Sequence, residues 1–352
     1  MLTSPEIQVS DLPSWLYVLQ QRNLVYNFNF TLFSNQDLSD SDIMYGHPDG
    51  WMYTDKGTGG SITYNTISDT CKIITSSEDG KTMVFSQALH EFPKWKSTLK
   101  GTTVSARVIL EASSDSTVLV QLSDGKDASA KQVTDSGEMI LDISHYVCDD
   151  ATELTLSILC SNSSVALNIS STCANIGEFA LETLPCMIEG VIGERRQYVS
   201  TEMPPATELS LCTETLELTG PGVGDVSYTR LSSYLNGKFG TGSNGFSMLP
   251  DMRGYFSRAW DNDAGIDKNA DTRTALGEGT TTGDNVGTVE QDEFKSHNHV
   301  LSFTMTSQVN AGDVPVPSTN IALTTPSSNT GDTGGDETRS INISELFTIK
   351  WA

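Results

Sequence analysis

Helical periodicity is nearly absent from this 352-residue chain, and that constrains its fold more than any other feature. Short runs rich in Val, Ile, Thr and aromatic residues recur instead, separated by turns of Gly, Asp, Ser and Asn. Side chains of a strand point to alternate faces, so runs of this kind bury one face of a sheet and wet the other. The pattern predicts a mainly β protein. One amphipathic stretch, 7–21 with Leu12, Trp15, Leu16 and Leu19, predicts a short helix or attachment arm within residues 1–21. Residues 22–185 predict a single β-sandwich, with strands including Val25–Leu32, Gly50–Tyr53, Val104–Glu111, Thr117–Leu122, Met139–Ile143 and Glu178–Leu184. Within it, Arg107-Val-Ile-Leu and Val118-Leu-Val-Gln-Leu predict a central hairpin turning at Ser113-Ser-Asp-Ser. Gly and Pro punctuation marks 186–208 as a linker, leaving 209–352 as a second, loop-rich domain.

Charge narrows the function classes. The chain carries 45 acidic against 21 basic residues, a net charge of -24, with no Lys/Arg cluster. Binding a nucleic-acid backbone requires such a cluster, and so does holding an anionic membrane surface. Neither a nucleic-acid partner nor membrane insertion is expected. The start, Met1-Leu-Thr-Ser-Pro-Glu-Ile, lacks the basic-then-apolar order of a signal peptide, and no run approaches the roughly 18 apolar residues of a membrane span. Synthesis in a cytoplasm follows. The six cysteines are dispersed without finger spacing, so they read as small buried hydrophobes. No nucleophile elbow, zinc-protease helix or phosphate loop is present, and His47, His90 and His145 stand isolated in sequence. A glycosidase carboxylate pair carries little weight among so many acids. The chain is not expected to be an enzyme.

One histidine pair stands apart. In Phe294-Lys-Ser-His-Asn-His-Val-Leu-Ser-Phe-Thr-Met305, a strand would place His297, His299, Leu301, Phe303 and Met305 on one face. Imidazoles heading an apolar stripe need partners, because desolvating them alone is costly. A surface or hydrogen-bonded pair is one reading. The other is that three chains around an axis supply six imidazoles to one transition metal.

Further motifs follow in order: Tyr228-Thr-Arg-Leu-Ser-Ser-Tyr-Leu235 as a short helix, Phe239-Gly-Thr-Gly-Ser-Asn-Gly-Phe246, Leu249-Pro-Asp-Met-Arg-Gly254, Arg258-Ala-Trp-Asp261, and Gly334-Gly-Asp-Glu-Thr-Arg through Ile349-Lys-Trp351. With Phe294-Lys-Ser-His-Asn-His299, this succession resembles the phage tail collar domain of short tail fibres and fibre tips, over about 140 residues. The family's usual opening, Gly-Trp-Leu-x-Cys-Asp-Gly, is replaced here by Glu208-Leu-Ser-Leu-Cys-Thr-Glu. Residues 310–333 would form a polar, Pro-containing tip loop too short to fold alone. Asn27-Phe-Asn-Phe, then Pro48-Asp-Gly-Trp51, then paired strands resemble jelly-roll modules that bind sugars or decorate phage fibres.

The resemblances imply an intertwined homotrimer in a virion tail, clamped by an axial iron or zinc held at His297 and His299. They imply phage baseplate or tail proteins as partners and a host-surface glycan as ligand. Trp51, Tyr53 and Trp95 are the candidate glycan platforms, with Trp51 as a plug of the sandwich core the favoured competing role. A structural baseplate or collar component that binds no receptor is the alternative function.

Overall fold

The computed structural model describes residues 21–34, 48–55, 59–65, 70–199, 205–221, 226–292 and 342–352. The predicted amino-terminal helix, the tip loop, His47, His297 and His299 lie outside the described residues. The chain divides into two compact units, Met1–Val289 with Glu345–Ala352, and Glu290–Ser344.

The first unit is built on β1 (Met52–Thr54), β2 (Ser61–Asn65), β3 (Thr70–Ile74), β4 (Met83–Ala88), β5 (Thr103–Ser123), β6 (Ala128–Tyr146), β7 (Thr155–Cys160) and β8 (Ala166–Ile176). A short helix, α1 (Trp95–Leu99), joins β4 to β5. Hydrogen bonds run β1-β4-β7-β5-β8-β3-β2, with β6 on β5 as well. The long strand β5 is the spine. Val104 to Ala112 pair with β8, Val118 to Ser123 pair with β7, and β6 follows β5 along both halves. Between the halves Ser113, Ser114 and Asp115 stand opposite Ser136 alone, a bulge that bends both strands. Two sheets, β6-β5-β8-β3-β2 and β6-β5-β7-β4-β1, leave this bend and close on each other as a jelly-roll-like β-sandwich.

The alternation that predicts the strands also fills the interior. Val104, Ala106, Val108, Leu110 and Ala112 of the first half of β5, and Val118, Val120 and Leu122 of the second, are all buried. They join Ile73, Phe85, Leu156, Ile158, Leu167 and Ile169 in one core. Each Val, Leu, Ile or Phe among them contributes about 1.5–3 kcal/mol when fully buried, and the two alanines less.

Three strand expectations are corrected. The hairpin placed at Ser113-Ser-Asp-Ser is one continuous strand, because the polar residues form the bulge rather than a turn. The real turn is at Asp124-Gly-Lys-Asp127. There Asp124 Oδ1 accepts the amides of Lys126 (2.8 Å) and Asp127 (2.7 Å), while Gly125 adopts φ +81°. Val25–Leu32 is a loop. Asn27 sits at φ +52° and its amide binds Leu32 and Asp49, so Leu24, Val25, Tyr26 and Phe30 are buried without a ladder. Glu178–Leu184 is also a loop, held by Asn175, which bonds the backbone of Ile176, Phe179 and Leu181.

The rest of the unit is loop-rich, as the sequence predicts. It contains β9 (Arg195–Tyr198), β10 (Glu208–Ser210), β11 (Leu216–Glu217), α2 (Thr229–Leu235), β12 (Met248–Leu249), β13 (Thr274–Ala275), β14 (Thr288–Val289) and β15 (Leu346–Lys350). The carboxy-terminal strand β15 lies between β10 and β9, so the stretch predicted as a linker supplies one edge of a small sheet. Leu211, Leu218, Leu231, Leu249, Ile349 and Trp351 are continuous with the sandwich core. Among the described residues no helix is long and apolar enough to cross a membrane.

Candidate functional site

The helix α2 matches the short helix predicted from Tyr228 to Leu235. A buried carboxylate holds its start. Glu91 Oε1 accepts from Ser227 Oγ (2.5 Å), Thr229 N (2.5 Å) and Thr229 Oγ1 (2.6 Å), and Oε2 accepts from Arg230 N (2.9 Å). The free amides at a helix N-terminus favour an anion there. Arg230, fully buried, reaches back to donate to the carbonyls of Glu91 (3.1 Å) and Leu24 (2.9 Å). Ser233 Oγ donates to the carbonyl of Trp51 at 3.0 Å. The helix is thereby fixed to the sandwich. It ends at Asn236, whose left-handed φ of +47° is a conformation Asn tolerates well. Lys238 follows immediately.

Lys238 opens onto a cleft of about 480 Å³. Its apolar floor includes Leu211, Leu235, Met252 and Ile349, all buried. Its wall is the loop from Tyr255 to Val289, and side-chain carboxylates give that loop its shape. Asp261 Oδ2 accepts the amide of Gly265 (2.7 Å), and Oδ1 accepts those of Ile266 (2.8 Å) and Asp267 (2.7 Å). These amide bonds, that of Asp267 foremost, hold the Asp261 carboxyl below the usual carboxylate range. Asn262 and Asp263 at the tip have φ of +49° and +60°. Asp284 Oδ2 accepts the amide of Asp263 at 2.8 Å, tying the two arms together.

Two aromatic side chains stand at this wall. Trp260 is 51% exposed, yet its indole N–H donates to the carbonyl of Asp284 at 3.0 Å, which orients the ring. Phe256 is 61% exposed. Basic groups lie among them. Asp267 is bridged by Arg258 (3.2 Å) and Arg273 (3.1 Å), and Arg273 also donates to Thr288 Oγ1 at 3.0 Å. Arg195 donates to Ser257 Oγ at 2.6 Å and lies 5.3 Å from the centre of the Phe347 ring. Arrangements with apolar and aromatic walls and a few oriented polar groups take small polar ligands.

The residues singled out from sequence are placed elsewhere. Trp51 is fully buried and stacks on Phe85 with ring centroids 4.4 Å apart, so its role is to plug the core. Tyr53 is buried and donates to Asp55 Oδ2 at 3.1 Å; burial drives its hydroxyl pKa well up. Trp95 is buried at the start of α1, edge-on to His90 at 5.0 Å. A sugar would have to open the core to stack on any of these rings. His90 Nδ1 meets the Leu154 backbone, and His145 lies between Ser129 Oγ (3.0 Å) and Asp124 Oδ2 (3.5 Å). Of the motif arginines, Arg253 does pair with Asp251 at 2.6 Å, but exposed, where such a pair contributes little. Arg258 pairs with Asp267, while Asp261 spends its oxygens on backbone amides. Gly254 has the positive φ, +82°, that its place after Arg253 suggests. The cleft aromatics Phe256 and Trp260 were visible in the sequence as part of Tyr255-Phe-Ser-Arg-Ala-Trp-Asp261. No periodicity marks a loop aromatic as exposed, and so nothing there distinguished them from core residues.

No protein-family profile and no curated protein sequence matches the chain. Among solved structures the chain is similar to TmCBM61, solved with β-1,4-galactotriose, at 10% identity and a TM-score of 0.31 over 44% of this chain and 97% of that one. It is similar to the xylan-binding domain CBM22-1 of Xyn10C from Paenibacillus barcinonensis, at 16% identity and a TM-score of 0.28 over 42% of this chain and 97% of that one. It is also similar to the enzymatically active domain of tailspike protein 4 of bacteriophage CBA120, at 12% identity and a TM-score of 0.30. That match covers 44% of this chain and 21% of the tailspike chain.

Proposed function

We propose that this protein is a phage tail fibre or tail-tip component that attaches the virion to a host-surface glycan. The observation that carries the reading is the cleft behind the 255–289 loop, where Trp260 and Phe256 stand exposed beside oriented polar groups. The apolar face of a sugar ring packs on such aromatics while its hydroxyls exchange hydrogen bonds with neighbouring side chains. The collar-like order of motifs from Tyr228 to Trp351 supports the virion setting, and so does a sandwich of the jelly-roll type.

Two further elements belong to the proposal. The chain works as a homotrimer joined to phage baseplate or tail proteins, and three copies of His297 and His299 hold one structural iron or zinc. Six imidazoles fill a coordination sphere, so such a metal would clamp the chains and leave no open position for catalysis. In this reading the chain acts as a binding module, and the metal serves assembly alone.

The test is binding of the labelled full chain to a panel of bacterial cells, before and after periodate oxidation of their surface sugars. We expect periodate-sensitive binding that Trp260→Ala weakens about tenfold. Absence of binding to every strain, or binding indifferent to periodate, contradicts the reading.

A further inference from the structure

The cleft inverts the charge balance of the chain that surrounds it. Overall, acidic residues outnumber basic ones 45 to 21. In the cleft four cations, Arg195, Lys238, Arg258 and Arg273, face three carboxylates, Asp261, Asp267 and Asp284. The carboxylates are already engaged. Asp267 is shared by two arginines, and Asp261 and Asp284 accept backbone amides.

Lys238 is the exception among the cations. Arg258 and Arg273 have Asp267, and Arg195 has Ser257. Among the described residues no side-chain hydrogen bond or ion pair reaches Lys238 Nζ. Its stem passes close to Gly287, where a Cβ would come to 2.9 Å from Lys238 Cδ. The φ of Gly287, +95°, also suits glycine alone. Burial lowers the pKa of this amine, so the charged form lacks a compensating partner where it sits. An ammonium held half-desolvated in a concave, locally basic site is complementary to an anion.

We propose that the cleft selects a sugar bearing an acidic group, with Lys238 as the counter-charge and Trp260 and Phe256 as the surface for the ring. The proposal rests on the glycan-binding reading above and specifies its ligand class. A uronic-acid carboxylate and a sugar phosphate present the same chemistry to Lys238, and the experiment separates them.

Binding of the full chain is measured by calorimetry against galacturonic acid oligomers, neutral galactose oligomers of equal length, and a sugar phosphate. We expect at least one acidic probe to bind tenfold or more tightly than the neutral oligomer at low salt. That preference should shrink as salt screens the pair. Lys238→Met should abolish the preference, and Lys81→Met, in the turn between β3 and β4 and outside the cleft lining, should keep it. Melting temperatures of the variants show that each is folded. Equal affinity for acidic and neutral oligomers, or a preference that survives Lys238→Met, overturns the inference while leaving the attachment reading intact. If no sugar and no cell surface is bound, both fall.

Discussion

Asp124 shows how one carboxylate can set the path of the chain. It is fully buried at the turn between β5 and β6, where its oxygens take the amides of Lys126, Asp127 and Cys148. Burial works to raise its pKa, but these amide bonds outweigh it and hold the carboxyl well below the ordinary range. A depressed native value means its stabilisation is complete above the ordinary carboxylate range, about pH 4. It is lost as the pH falls toward the native value. Asp124→Asn should therefore cost about 1–3 kcal/mol near neutrality. The gap in melting temperature between wild type and variant should narrow in acid; a gap that widens there would refute the assignment. His145 looked isolated in sequence; its strand partner is Val104, at the other end of β5, and it meets the Asp124 carboxylate only because the β5–β6 ribbon bends back at the Ser113–Asp115 bulge. Sequence spacing carries no trace of such a contact.

At the scale of elements, the sandwich and the loop-rich half are joined through α2. Glu91 supplies four hydrogen bonds to the 227–230 backbone and side chains, and Arg230 returns two to backbone carbonyls of the sandwich. Removing the Glu91 carboxylate leaves the buried amides and hydroxyls that it satisfies without an acceptor, at about 1–3 kcal/mol each. Glu91→Ala should lower the melting temperature accordingly and speed amide exchange in α2 before that in β5. Exchange unchanged in α2 would contradict this anchoring role. The strands of the core were legible because alternation and burial agree: Val104 through Leu122 keep even positions inward on both sides of the bulge. The strand failures were all at polar side chains that replace a ladder or a turn. Ser113 to Asp115 read as a turn and make a bulge, while Asn27 and Asn175 bend segments whose apolar content suggested strands. The helix α1 escaped notice because five residues are too few to show a period. Trp51, Tyr53 and Trp95 were legible as aromatics, but their burial depends on partners such as Phe85 and His90 that lie far away in sequence. The motif at 255–261 marked the right segment for the cleft, yet the exposure of Trp260 is set by its bond to Asp284 in the opposite arm.

At the scale of the whole molecule, the proposal has two separable parts, assembly and recognition. Assembly depends on His297 and His299 meeting their copies around one ion. Chelation, or His297→Ala with His299→Ala, should lower the temperature at which the trimer dissociates, read by light scattering after size exclusion. A trimer of unchanged heat resistance would remove the clamp from the account. Recognition depends on the cleft and is the central claim. Trp15, Trp51, Trp95 and Trp351 accompany Trp260 in the chain, and Trp51, Trp95 and Trp351 are buried. A ligand stacking at the cleft should therefore report through Trp260 rather than through those three. The most direct measurement is a fluorescence titration of the full chain with polysaccharide extracted from a strain that it binds. The account predicts a saturable change in tryptophan emission that Trp260→Phe removes without altering the melting temperature. The same saturable change in the variant, or none in either protein, would contradict it.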